Sequence, residues 1–88
     1  MTIEDACDKT LAMLAVRARH ATVCPSEVAR AMMADHASTR AAGWRDAMPT
    51  VHAAVDRLVA EGHVQLSWKG EPLATRAGPY RIRRGART

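Results

Sequence analysis

The residues of this chain best suited to chemistry are its cations, and they are unevenly placed. From Met1 to His63, seven Lys/Arg stand against eight Asp/Glu. From Val64 to Thr88, six basic residues (Lys69, Arg76, Arg81, Arg83, Arg84 and Arg87) stand against one acid, Glu71. A concentrated basic strip attracts phosphates or acidic partners; it also serves as a solubilising tail. Lys69 falls at a turn, Arg76 in a loop, and Arg81 and Arg83 on one side of an alternating segment, with Arg84 next to them. Such a set suits tracking a phosphate backbone. Arg45, Thr50 and Arg57, on a helical segment upstream, are the candidates for contact from a groove-reading helix.

Other chemistries find less support. His20, His36, His52 and His63 are scattered, without the close pairs that metal binding needs. No metal or other cofactor is expected. Cys24-Pro25-Ser26-Glu27 is the densest polar cluster, and it reads as the chemistry of a helix start: proline in the first turn, an acid beside unpaired N–H groups. Cys24 and Cys7 read as small buried hydrophobes, with a reactive thiol at Cys24 as the alternative, since a helix N-terminus lowers a thiol pKa. No nucleophile motif, phosphate-cradling glycine loop or carboxylate pair is present, so no catalytic residue and no small-molecule substrate is expected. Trp44 and Trp68 read as core, with base stacking as the alternative.

The elements that must position these groups follow from periodicity. Ile3, Cys7, Leu11, Leu14 and Ala18 lie within about 80° of a helical wheel, which predicts a helix over Thr2–Arg19 with Thr2 as N-cap. Ala21-Thr22-Val23 predicts a brief strand. A second helix is expected from Pro25 to Ala34, then a connector over Asp35–Gly43. Met48, Val51, Val55, Leu58 and Val59 share about 100° of arc, the core face of a third helix that stops at Gly62. Pro49 leaves two forms open: a short turn at Trp44–Ala47 before the main helix, or one helix with Pro49 near its first turn. After Gly62 the period falls to two. Val64, Leu66 and Trp68 form one face of a strand; Glu71 to Pro79 reads as a loop; Tyr80 and Ile82 face inward on a return strand, with Arg81 and Arg83 outward.

This order predicts an α+β, mostly α, winged helix: three helices, a short strand and a C-terminal hairpin wing, in one domain over residues 1–84 with a frayed tail at 85–88. The acidic N-terminus and the lack of a long apolar run point to a cytoplasmic protein with no membrane partner.

Several runs also resemble a small bacterial family, domain-of-unknown-function family 3253. They are Cys24-Pro25-Ser26-Glu27-Val28-Ala29-Arg30, Trp44-Arg45-Asp46-Ala47-Met48-Pro49, Ala60-Glu61-Gly62, Lys69-Gly70 and Gly78-Pro79-Tyr80-Arg81-Ile82-Arg83. Together they cover most of the chain after residue 23. The resemblance implies a winged-helix-like fold and no established activity.

Two functions are therefore expected from the residues. The first is low-specificity binding of double-stranded DNA led by the wing and tail, because the outward face of the third helix offers Arg57 as its only strong candidate for pairing with bases. The alternative is a protein-interaction or homodimerisation module without DNA binding.

Overall fold

A computed structural model describes residues 2–35 and 43–86; the connector expected at 35–43 falls mostly outside the described residues, and so does the end of the tail with Arg87. Three helices, α1 (Ile3–Ala15), α2 (Pro25–Asp35) and α3 (Trp44–Ala60), are followed by strands β1 (Val64–Trp68), β2 (Glu71–Leu73) and β3 (Arg81–Arg84). This is the winged-helix layout.

Helix α1 starts as the sequence predicts. Thr2 Oγ1 accepts from the Asp5 N–H, and the Asp5 carboxylate accepts from the Thr2 N–H, a reciprocal capping box. The helix stops at Ala15, four residues short of the expected end, because its last carbonyls are taken by an arginine from β3, described below. Its buried row is Ala6, Cys7, Thr10 and Leu14, while Ile3 stays 40% exposed. The helix is thus rotated from the expected stripe so that Ala6 and Thr10, small residues, meet the core. Thr10 tolerates this because its hydroxyl donates to the Ala6 carbonyl at 2.8 Å.

Helix α2 has Pro25 in its first turn, and the Cys24 carbonyl accepts from the N–H groups of Glu27 and Val28. Helix α3 takes the single-helix form, with Pro49 inside it on the exposed side. Its buried residues are Ala47, Val51, Ala54, Val55 and Leu58. Gly62, at φ 79°, closes it: the Gly62 N–H bonds the Val59 carbonyl and the His63 N–H bonds the Leu58 carbonyl. That is a Schellman stop, and it needs a left-handed residue at this position.

The sheet differs from the expected two-stranded wing. Its order is β2-β1-β3, all antiparallel. Glu71–Leu73, expected as loop, pairs with β1 through a two-residue turn at Lys69-Gly70, where both residues have positive φ (52° and 84°). Pro72 did not signal a strand because proline is excluded from central strands; β2 is an edge strand, where the missing N–H is tolerated. The expected strand at 21–23 is one bridge: Val23 and Ile82 exchange both backbone hydrogen bonds at 2.8 Å. Val64, Leu66, Tyr80 and Ile82 face the core as expected. Trp68 does not: it is 39% exposed, at the turn end of β1 beyond the part the helices cover.

One cluster joins these elements, with Leu14, Val23, Val28, Met32, Val51, Val55, Leu58, Leu66 and Ile82 at its centre. Gly85, just after β3, passes close to the end of α3. A Cβ there would lie 2.5 Å from the Gly62 carbonyl oxygen and 2.8 Å from the Val64 nitrogen, both backbone atoms that cannot swing aside. Gly85→Ala is expected to destabilise the fold by about 1–3 kcal/mol, measured by urea unfolding.

Candidate nucleic-acid interface

Alternation along β3 sends its arginines to two sides. Ile82 is buried, so Arg81 and Arg83 lie on the outward face, opposite Ser67 and Gln65 of β1. Arg84 reaches the other way, to the end of α1. Its Nε and one terminal nitrogen donate to the Leu14 carbonyl at 3.3 and 2.8 Å, and the same terminal nitrogen meets the carbonyls of Ala15 and Arg17 at 3.3 and 3.0 Å. A cation at a helix C-terminus is favourable, and here it also satisfies carbonyls that the helix leaves unpaired.

The remaining wing arginines are also engaged. Arg81 Nε donates to the Thr22 hydroxyl at 2.6 Å, tying β3 to the α1–α2 linker. Arg76 forms a two-pronged pair with Asp56 on α3, at 3.1 and 3.0 Å. That pair lowers the Asp56 pKa, chiefly through the hydrogen bonds from Arg76. It latches the 74–79 loop against the outward side of α3. Lys69 stands exposed at the turn. Arg83 is half-buried, and its Nε is buried with no hydrogen-bond partner among the described residues.

On α3 the expected residues are equally divided. Arg57 is exposed but paired, with Glu61 at 3.4 Å and with Glu4 of α1 at 3.6 Å. Thr50 is half-buried. Arg45 lies exposed in the first turn, its guanidinium carbon 4.5 Å from the Trp44 ring centroid. Arg30 of α2 approaches the same ring to 4.7 Å. Trp44 is half-buried and packs on the edge of the core, so its position is the expected one, but its two cationic neighbours were not. Glu27, on the same helix as Arg30, pairs with Arg17 at 3.1 Å. The eight expected contact residues are therefore not one patch: they divide between the first half of α3 (Arg45, Thr50), its last turn (Arg57), the latch over α3 (Arg76), the turn (Lys69), the sheet's outer face (Arg81, Arg83) and the end of α1 (Arg84).

Behind α3, His52 Nδ1 and the Tyr80 hydroxyl are 2.7 Å apart. Burial and then the Arg76 charge lower the His52 pKa, and burial raises that of Tyr80, so a neutral imidazole and an intact phenol share this bond. No sequence pattern links the two, which are 28 residues apart. Cys24 is the N-cap of α2, with its sulfur 3.1 Å from the Ser26 hydroxyl. Burial alone would raise its pKa, but hydrogen bonds from Ser26 and from the backbone at Ser26 and Glu27 outweigh burial and lower it. Cys7 goes the other way, raised by burial. Among the described residues no cluster of three metal-ligating side chains occurs, and no helix is long and apolar enough to cross a membrane.

Two consequences can be measured. Arg84→Ala leaves the α1 carbonyls unpaired and is expected to cost about 2 kcal/mol in denaturant unfolding. The Asp56 carboxylate has a folded pKa below its unfolded value of 3.8, so its contribution is present above that value and is lost as pH falls through the folded pKa. Asp56→Asn should therefore be less stable than wild type at neutral pH, and the difference should shrink as pH falls below 3.8, in unfolding curves taken at neutral and acid pH.

No curated protein matches the chain closely enough to lend it an activity. A family model does match, described as "Protein of unknown function (DUF3253)", over residues 4–85. That span runs from the first turn of α1 to the residue after β3, and so takes in every element that holds the arginines in place: the chain belongs to this family of unknown function.

Proposed function

We propose that this winged-helix domain binds double-stranded DNA in the cytoplasm, with little sequence preference and through phosphate contacts. The observation that carries this reading is the start of α3. Two exposed arginines, Arg30 and Arg45, meet at the half-buried Trp44 where the second helix of the helix-turn-helix begins. Helix N-termini favour phosphate through their free N–H groups and dipole, and helix-turn-helix domains approach DNA with this end. Lys69 adds a second exposed cation at the tip of the wing.

Low specificity follows from the rest of α3. Beyond Arg45 its exposed residues include Pro49, Asp56 and Ala60, none of which donates bidentate hydrogen bonds to a base edge. Arg57 is held by Glu61 and Glu4. Arg76 cancels the charge of Asp56, which removes a repulsive carboxylate from that face. Compared with the expectation of wing-led binding, the weight moves to Arg30, Arg45 and Lys69. Arg76, Arg81 and Arg84 add long-range charge while their donors stay on protein oxygens.

A second reading is favoured by one feature. A groove of about 370 Å³ runs between α3 and the wing loop, lined by Val59, Ala60, Leu66, Ala74 and Thr75 with the Asp56–Arg76 pair at its side. An apolar segment of a protein partner, or a second copy of the chain, would suit it.

Fluorescence anisotropy with a duplex oligonucleotide separates the two. At about 50 mM salt we expect micromolar affinity and a logarithmic salt slope of about −2 to −3. Arg45→Ala combined with Lys69→Ala should weaken binding at least about tenfold without moving the unfolding midpoint. A folded protein with no DNA affinity at that salt overturns the first reading, and a dimer in sedimentation equilibrium would then favour the second.

A further inference from the structure

We infer that the domain carries a pocket for a phosphate group at the edge of its sheet, formed by Arg19, His20, Gln65 and Arg83. The pocket measures about 180 Å³ and is bounded also by Arg84 and by the chain at 85–86. At about 30 Å³ per water molecule, that is room for a tetrahedral oxyanion and some of its hydration.

Its lining is one-sided. Arg19, His20, Arg83 and Arg84 are among the residues that line it, and no Asp or Glu is. Elsewhere on this protein arginines find acids or carbonyls: Arg17 has Glu27, Arg57 has Glu61, Arg76 has Asp56, and Arg84 has the end of α1. Arg30 and Arg45 lie over the Trp44 ring, and Arg19 and Arg83, which both line this pocket, have no acid or carbonyl partner among the described residues. The Nε of Arg83 is buried against the sheet without an acceptor among the described residues. That atom is out of reach of water and of a ligand alike, but no protein acceptor among the described residues holds the terminal nitrogens of the half-buried Arg83 side chain, and these are the donors it offers to the pocket.

Placement makes the donors convergent. Gln65 and Arg83 are direct cross-strand partners, so their side chains leave the same face of the sheet side by side. Arg19 and His20 come from the linker after α1, which the Val23–Ile82 bridge fastens beside β3. Gln65 contributes an amide that donates without adding charge. A phosphate, which offers only acceptors to such donors, complements this set, and Arg is well shaped for it. Arg84 adds charge at close range, but the carbonyls of α1 already hold its Nε and one terminal nitrogen. The site lies on the sheet and linker, away from the start of α3 and Lys69. It does not rest on the DNA-binding reading, and the two can fail separately.

The test is a titration of the full chain with inorganic phosphate, at constant ionic strength set by chloride and followed by amide and arginine Nε–H chemical shifts. Saturable shifts confined to Arg19, His20, Gln65 and Arg83, with a dissociation constant in the millimolar range or below, are expected. Arg83→Gln and Arg19→Gln should each weaken binding by about tenfold, the scale of one charge-assisted bidentate contact. Arg19 is exposed in the linker, so its variant keeps the fold even where Arg83→Gln disturbs the sheet. Oligonucleotides with and without a 5′-phosphate then identify the source. Shifts at Arg19, His20, Gln65 and Arg83 that saturate at lower concentration with the 5′-phosphorylated oligonucleotide than with its unphosphorylated twin and with free phosphate assign a nucleic-acid end; pocket shifts with free phosphate and none with the 5′-phosphorylated oligonucleotide assign a small anion. Shifts that rise linearly with phosphate, that chloride reproduces, or that both variants leave unchanged overturn the site.

Discussion

Strand β3 is the constraint on which the rest of the structure depends. Ile82, fully buried, bonds Val23 on one side while its strand pairs with β1 on the other. Two residues later Arg84 closes the end of α1. Four residues of backbone thus tie the linker, the first helix and the sheet together. Burial of an isoleucine contributes about 2–3 kcal/mol, and the hydrogen bonds of Arg84 act where a helix would otherwise present bare carbonyls. The last strand of the chain therefore fixes where the first helix ends.

This constraint changes the meaning of the basic C-terminal segment. In sequence, Arg76, Arg81, Arg83 and Arg84 form a strip with one acid nearby. In space they part. Strand alternation puts Arg81 and Arg83 on the outer face and turns Arg84 inward, while Arg76 crosses to Asp56. Each meets a partner from far away in the chain: Thr22 for Arg81, Leu14 for Arg84 and Asp56 for Arg76, with Arg83 the one whose buried Nε meets none among the described residues. Long-range partners of this kind have no signature in local composition.

What could be read from the sequence was what local physics decides. The capping box at Thr2, the Pro25 start of α2, the Gly62 stop and the change of period after it all depend on neighbouring residues. The errors came where tertiary contact decides. The end of α1 depends on Arg84, 70 residues from Leu14. The rotation of its buried face depends on how closely α3 approaches, which Ala6 and Thr10 allow and periodicity does not encode. Strand β2 was hidden because Pro72 argues against a central strand and no local rule announces an edge. For the candidate site, the residue types were legible but not their availability. Arg45 and Lys69 remained open, and the Arg30–Trp44 contact needed two helices to be brought together.

Net charge is accordingly a poor guide to where this protein meets an anion. An arginine held by a carboxylate or a helix end contributes field but few donors, and short-range recognition requires donors. Two places still combine charge with donors not committed to protein carboxylates: the start of α3, where Arg30 and Arg45 flank Trp44, and the pocket at Arg19 and Arg83. They differ in kind. The first is an exposed cationic edge, suited to a polymer whose phosphates need only come near. The second is a recess lined by arginines from two elements, suited to one phosphate group. A domain with only the first would bind through field alone and lose its ligand steeply with salt, whereas the recess adds short-range donors from the linker and the sheet, and hydrogen bonds at contact distance are screened less by salt than the field at longer range.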